Sequence, residues 1–307
     1  MSAEAAPLKT NLPVQKKQPD SPWRIAIRRF SRNRLAVIGL FIIVFMFLLC
    51  FVGPVFSPYS LYDYSVADKN LPPSSKFWLG TDKLGRDILL RMMLAGRISL
   101  TVGLVATGIS IIIGATLGAL AGFYRRWVDT LIMRMADIFM ALPTLPILII
   151  LGAILSDLKV EPADRIYFLM LIIGVLGWSG ISRLVRGQIL TLREQEFMQA
   201  TEALGLKDRR KIFRHLLPNT IPIIIVSATL GVAGAIIYES ALSFLGVGVV
   251  PPTPSWGNMI SAANNLIDFR KRPWLWIPPG MCILVTVVAI NLIGDGLRDA
   301  LDPKMKK

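Results

Sequence analysis

The segment TLREQEFMQATEALGLKDRRKIFRHLLPN, residues 191–219, is a polar and basic stretch set between two apolar runs. Its local chemistry reads as two short helices joined at a glycine. Thr191-Leu192-Arg193-Glu194 has the capping-box pattern, in which a hydroxyl and a carboxylate satisfy two free donors at a helix start. A helix is expected from there through Gln199, Ala200, Thr201, Glu202 and Ala203 to Leu204, where Gly205 supplies the left-handed conformation that ends helices. Beyond Leu206 and Lys207, Asp208 is expected to cap a second helix. Its stretch Arg209 to Leu217 carries Ile212, Phe213, Leu216 and Leu217 at helical spacing, before Pro218 and Asn219 introduce the next apolar run. Two helices bent at a glycine make a compact protrusion that can transmit a partner's motion. The same shape also serves as plain scaffolding, and the residues alone leave both readings open.

The runs on either side place this segment on a membrane protein. Of the 307 residues, 53% are hydrophobic, and the mean hydropathy of +0.57 is wrong for a soluble globule. Six runs approach the roughly 20 apolar residues that a helix needs to cross about 30 Å of hydrocarbon. They are Leu35 to Phe56, Ile98 to Phe123, Ile138 to Leu155, Ile166 to Ser182, Thr220 to Leu245 and Ile277 to Gly296. Pro143 and Pro146 interrupt the third, which is expected to kink or to begin only after Pro146.

The net charge of +14 is topological, because the basic residues sit in short connections without the aromatic interleaving of a nucleic-acid surface. The tail before Leu35, residues 124–137, residues 183–219 and the C-terminal tail hold 23 of the 34 Lys and Arg residues. That bias puts both termini in the cytoplasm. Trp23 to Asn33, with Arg24, Arg28, Arg29 and Arg32, reads as a short amphipathic helix on an anionic leaflet or as a solvated basic tail. Met1 to Pro22 reads as disordered, and the mostly polar residues before the first run argue against a cleavable signal peptide. Trp274 and Trp276 mark the interface before the sixth run.

Within the runs, Gly114, Gly118 and Gly122 share one helical face on which backbones can approach closely, a packing feature. Glu239 is the one acidic residue well inside an apolar run. It is costly there unless hydrogen-bonded, paired or facing water, so it is either a polar contact to a neighbouring helix or subunit, or part of a pathway. Asp295 is expected to meet solvent or a basic loop residue. Cys50 and Cys282 lie in apolar runs without metal-ligand spacing and read as packing residues. A single histidine, His215, cannot make H-E-x-x-H, and no G-x-x-x-x-G-K-[ST] is present to hold nucleotide phosphates. Energy from ATP would therefore have to enter through a partner. Ion-coupled carriers usually embed several carboxylates or histidines, and a membrane-embedded enzyme would cluster them at one face; neither pattern stands out.

Gln199-Ala200-Thr201-x3-Gly205-x9-His215-x-Leu217-Pro218 resembles the cytoplasmic loop signature Glu-Ala-Ala-x3-Gly-x9-Ile-x-Leu-Pro of permeases in binding-protein-dependent ABC importers. Gln199, Thr201 and His215 depart from it, while the spacing holds throughout. Leu79-Gly80-Thr81-Asp82-x3-Gly85-Arg86-Asp87, Glu239 to Gly246, Pro251 to Gly257 and Gly294 to Pro303 are similar to the second, C-type subunit of the dipeptide/oligopeptide permease family.

The resemblance implies an all-α type I permease with six transmembrane helices. It further implies a homologous second permease, two cytoplasmic ATP-binding subunits and an extracytoplasmic solute-binding protein. ATP and Mg would be held by the ATPase subunits and none by this chain, which would itself be non-catalytic. Ala203 to Asp208 and their flanks would dock on an ATPase as a coupling helix. The chain would divide into a tail at 1–34, a first span with its extracytoplasmic loop at 35–96, and a permease core at 97–307 that carries the cytoplasmic loop 183–219. The implied cargo is a di- or oligopeptide, with nickel, glutathione or an antimicrobial peptide as alternatives within the same architecture. The external segments Leu71 to Gly96 and Pro251 to Asp268 are either connectors or contacts for the binding protein.

Overall fold

The computed structural model describes residues 22–301. The tail expected to be disordered, the Trp23 side chain and the final Asp302-Pro303 of the C-terminal motif lie outside what it describes. Helix α1, Pro22–Arg32, carries its arginines on one flank and turns Ala26 and Phe30 towards the bundle. Asn33 breaks the chain, and its side chain accepts from Ala36 N at 3.2 Å to cap α2, Arg34–Phe51. With large apolar residues such as Phe41 and Phe45 exposed, α2 presents the surface of a lipid-facing helix.

Residues 57–87 form an irregular segment tied by side chains. The Thr81 hydroxyl donates to Asp68 O and accepts from Leu71 N, while Arg86 brings Nε and Nη2 to the one Asp82 Oδ2 at 2.8 and 2.7 Å. Asp87 caps α3 by accepting from Leu90 N at 2.7 Å, and burial pushes its carboxyl above the usual carboxylate range. Helix α3, Ile88–Tyr124, has 37 residues, or roughly 55 Å at 1.5 Å per residue. It starts ten residues before the expected span because Ile88, Leu90, Met92, Met93 and Ala95 are buried there and carry the helix into the core. There Arg97 donates from Nε to Cys50 O and from Nη2 to Phe51 O, each at 2.8 Å, closing the C-terminus of α2.

The expected loop 124–137 is instead helix α4, Arg126–Ala141, and α5 follows at Thr144–Asp157 after a bend of 82°. Ile138 to Ala141 therefore lie in α4, before the bend, and Thr144 to Leu155 of the expected third span lie in α5. Pro143 forces Leu142 into an extended conformation, whereas Pro146 sits in the first turn of α5, where a missing N–H costs nothing. The helix is not delayed past Pro146.

Helices α6, Pro162–Leu176, and α7, Trp178–Arg193, meet at Gly177 and form one apolar column of 32 residues. The fourth span thus continues past Ser182. Consequently the capping box at Thr191 does not form: Thr191 Oγ1 donates back to Gly187 O at 3.3 Å, and Glu194 ends the helix beside Arg125. The buried face Ser182, Val185, Ile189 keeps packing at helical spacing and outweighs the local cap.

Helix α8, Glu196–Ala203, is followed by α9, Asp208–Arg210, which runs through a π-helical turn at Lys211–Leu216 into α10, Leu217–Phe244. Asp208 is the first residue of α9 and not its cap; its carboxylate pairs with Lys211 at 3.7 Å. Pro218 does not interrupt the column, because the wider π turn absorbs its missing donor and Asn219 Nδ2 donates to His215 O at 2.6 Å. Short helices α11, Trp256–Ile260, and α12, Leu266–Lys271, lead to α13, Ile277–Leu301.

Among the described residues, five helices or helix columns are long and apolar enough to cross a membrane, and a sixth is counted if the bent pair α4–α5 is one span. Helix α3 is central and packs on α2, α6, α7 and α10, while α13 closes the bundle against α2 and α10.

Candidate functional site

The protrusion at one end of the bundle is built as a stiff wedge. Leu204 closes α8, and Gly205 takes a φ of +64°. Its N–H bonds to Glu202 O at 2.9 Å and the Leu206 N–H to Thr201 O at 3.2 Å, the paired pattern of a Schellman stop. Gln199, Ala200, Glu202, Ala203, Leu204, Gly205, Lys207 and Asp208 are exposed, and Leu206 is half-buried. The other side of the wedge is anchored. Met198, Ile212 and Leu216 are buried in one cluster with Ala115, Ala119 and Phe123 of α3 and Val185 and Ile189 of α7. Thr201 faces inward and its hydroxyl donates to Met198 O at 2.7 Å. Its departure from alanine therefore lies on the anchored side. Gln199 stands on the open side, and His215 and Leu217 are half-buried at the base, with Pro218 exposed beside them.

Charges brace the base from α4. Arg186 forks onto Asp129 with Nε to Oδ1 at 2.7 Å and Nη2 to Oδ2 at 2.6 Å, and Arg183 pairs with Asp137. Arg193 donates to Phe123 O, and Arg125 meets Glu194. Sequence reasoning missed this frame because α4 was read as a loop. The signal available was a pair of aspartates in 124–137 opposite a pair of arginines in 183–186.

The three glycines of α3 meet α7 at backbone distance. A Cβ on Gly114 would stand 2.6 Å from Trp178 O, on Gly118 2.4 Å from Ser182 O, and on Gly122 2.8 Å from Ile189 Cβ. Glu239 is fully buried near the far end of α10 and accepts from Ser99 Oγ at 2.8 Å and from Ser243 Oγ at 2.7 Å.

Along α10 run two adjoining cavities. One of about 570 Å³ lies between α7, α10 and α13, with Asn219, Asp295 and Arg298 at its mouth. The other, of about 360 Å³, lies between α3, α7 and α10 and is lined in part by Thr107, Gly180, Gly234 and Tyr238. Ser227 and Leu230 line both. Asp295 is exposed in the first cavity, as its position near the end of the apolar run implied. Glu239 lines neither.

Residues 114–307, which include the wedge and most of both cavities, match the model of the binding-protein-dependent transport system inner membrane component. The chain belongs to that family. The N-terminal part of this permease, residues 21–73, also matches the N-terminal transmembrane domain of oligopeptide transport permease C. The permease is 42% identical to a dipeptide transport system permease protein of Alkalihalophilus pseudofirmus, over 93% of this chain and 91% of that one. It is 39% identical to an oligopeptide transport system permease protein of Bacillus subtilis, over 95% and 92%, and 36% identical to a glutathione transport system permease protein of Pectobacterium atrosepticum, over 95% of each. The resemblance carried by the loop and the C-terminal motif is met, and the permease is a multi-pass inner-membrane protein with an all-α transport fold.

Proposed function

We propose that this chain is the C-type permease subunit of an ATP-driven importer of di- or oligopeptides, with both termini in the cytoplasm. Its partners are a homologous second permease, two ATP-binding subunits that hold ATP and Mg and hydrolyse the nucleotide, and an extracytoplasmic solute-binding protein. The chain itself performs no hydrolysis. In this division the tail 1–34 and the first span with its loop, 35–96, flank a core at 97–307, and the loop 183–219 receives the ATPase.

The observation that carries this reading is the wedge. Its exposed tip, Leu204 to Asp208, stands on Met198, Ile212 and Leu216, which share one buried cluster with α3 and α7. A push at the tip cannot be absorbed locally, because the Schellman stop and the buried base are both closed. It passes to α7 and, through the π turn, to α10. Closure of the ATP-bound subunits would thereby reorient the helices around the cavities, with nucleotide binding supplying the bias between two states. The acidic and amide groups of Gln199 and Glu202 and the apolar Leu204 are the contacts offered to the ATPase groove. Glu239 is assigned a structural role, since it is fully buried, accepts from the hydroxyls of Ser99, Ser240 and Ser243, and lines neither cavity.

Reconstitution of the full complex in proteoliposomes with Gly205→Val tests the reading. Nothing lies within 4 Å of a Cβ at this position, so the substitution perturbs the left-handed bend and not a packed neighbour. Peptide uptake is expected to fall at least about tenfold while the complex still assembles, the size of effect that roughly 1.4 kcal/mol of lost coupling produces. Undiminished uptake would remove the coupling role.

A further inference from the structure

We propose that the two cavities form one trough that is this chain's half of a peptide passage, and that the open space over Gly180 and Gly234 sets the largest side chain that can pass. The proposal rests on the reading of the chain as a peptide-importing permease and names the residues that would give that passage its bore.

Length is the first argument. The cavities share Ser227 and Leu230 and follow α10 from Asn219 to Tyr238. At 1.5 Å per residue that is about 28 Å, close to the roughly 30 Å of a hydrocarbon core. A peptide in extended form rises about 3.3 Å per residue, so the trough holds a short peptide end to end.

Chemistry is the second. The cavity between α3, α7 and α10 has no Asp, Glu, Lys, Arg or His in its lining; charge appears only at Asp295 and Arg298 on the loop side. The lining offers hydroxyls instead: Thr107, Thr144, Ser227 and Tyr238. Thr107 is 4% exposed and its Oγ1 has no hydrogen-bond partner among the described residues, an uncommon and costly condition for a buried hydroxyl. An extended peptide carries one unpaired N–H and one unpaired C=O at every residue and needs such groups when it leaves water. A transmembrane helix seated on the same face would bring a main chain already satisfied within itself. The trough therefore suits a peptide main chain better than a helix, and an uncharged wall discriminates little among side-chain charges.

The glycines are the third. Most glycines of the bundle are required by close packing, as at Gly118 against Ser182 O and Gly174 against Ile109. At Gly180 and Gly234 a Cβ meets nothing within 4 Å. Both line the cavity and neither has a positive φ. Among the described residues no packing or backbone requirement accounts for glycine at either place, while a side chain there would narrow the trough.

The test uses the complete transporter in proteoliposomes with saturating binding protein, comparing uptake of triglycine and of a tripeptide bearing two tryptophans. In Gly180→Leu and Gly234→Leu, uptake of the tryptophan peptide should fall about tenfold or more while triglycine changes less than about twofold, as steric discrimination in a pocket allows. Gly187→Leu is the control: its Cβ also meets nothing, but it lines neither cavity, and it should show no size selection. Equal losses for both peptides, no loss for either, or the same selectivity in Gly187→Leu would each overturn the proposal. Loss of assembly with the second permease would do so too, since it would mean that a helix covers this face. If the wild-type complex imports neither peptide, it is the assignment of peptide cargo that fails.

Discussion

Ser99 Oγ on α3 donates a 2.8 Å hydrogen bond to Glu239 Oε2 on α10, joining two side chains that are wholly shut off from solvent. The same Ser99 hydroxyl accepts from Trp256 N at 3.4 Å, and Ser243 Oγ links Glu239 Oε1 to Val249 N at 2.7 and 2.9 Å. A carboxyl thus pins the ends of α3 and α10 to the turn before α11, on which the buried Trp256 is held by its Nε1 bond to Met92 O. Ser99→Ala removes one donor and is expected to cost about 1–2 kcal/mol, and Glu239→Ala more, because the hydroxyls of Ser99, Ser240 and Ser243 lose their acceptor at once. Thermal unfolding of the detergent-solubilised complex measures both. Peptide uptake by Ser99→Ala at a temperature where it is folded should equal wild type; a selective transport defect there would return Glu239 to the pathway.

The close approach of α3 and α7 makes a sharper demand. At Gly118 a methyl group would stand 2.4 Å from Ser182 O, a backbone atom that cannot rotate away. Gly118→Ala should lower stability by about 1–3 kcal/mol through forced separation of the helices. Gly187→Ala, on α7 with open space around it, should be neutral or gain up to about 1 kcal/mol from helix propensity. Similar melting shifts for the two would contradict the backbone contact.

The Asp129–Arg186 fork supplies a third test. Its two bonds of 2.6 and 2.7 Å tie α4 to α7 at a half-buried site. Asp129→Ala should cost about 1–3 kcal/mol, and Arg186→Lys should fail to match wild type, since an ammonium cannot make the two-pronged contact. A double-mutant cycle in thermal unfolding reads the coupling directly; a coupling near zero would leave α4 held by its apolar face and the Arg183–Asp137 pair.

Much of the fold was legible because the bilayer demands length and apolarity, which composition displays without tertiary information. Gly205 and the Gly114-Gly118-Gly122 stripe were legible for a similar reason, since a left-handed helix stop and a small-residue face are local patterns. The helix start at Thr191 failed because the burial of Val185 and Ile189 against α3 carries α7 onward, a contact no cap pattern can report. Helix α4 went unseen because its partners, Arg183 and Arg186, lie 46 and 57 residues away. The cage around Glu239 spans 140 residues between its two ends. The trough along α10 is defined by what that helix leaves uncovered, and only the assembled bundle displays it.

The bend at Gly205 can be tested by the order of a substitution series. Its φ of +64° is reached readily by glycine, tolerated by asparagine and resisted by residues with a Cβ, most of all a β-branched one. Apart from the two chain neighbours, no atom of the described residues lies within 4 Å of the new Cβ, so side-chain volume is irrelevant to the isolated wedge. If the bend itself transmits the stroke, substrate-stimulated ATP hydrolysis should rank glycine, then asparagine, then alanine, then valine, with alanine penalised by about 1 kcal/mol. If instead Gly205 is glycine because an ATPase surface presses against it, volume decides, and alanine should outperform the larger asparagine. The relative activities of Gly205→Asn and Gly205→Ala therefore separate a backbone requirement from a docking requirement at the tip of the wedge.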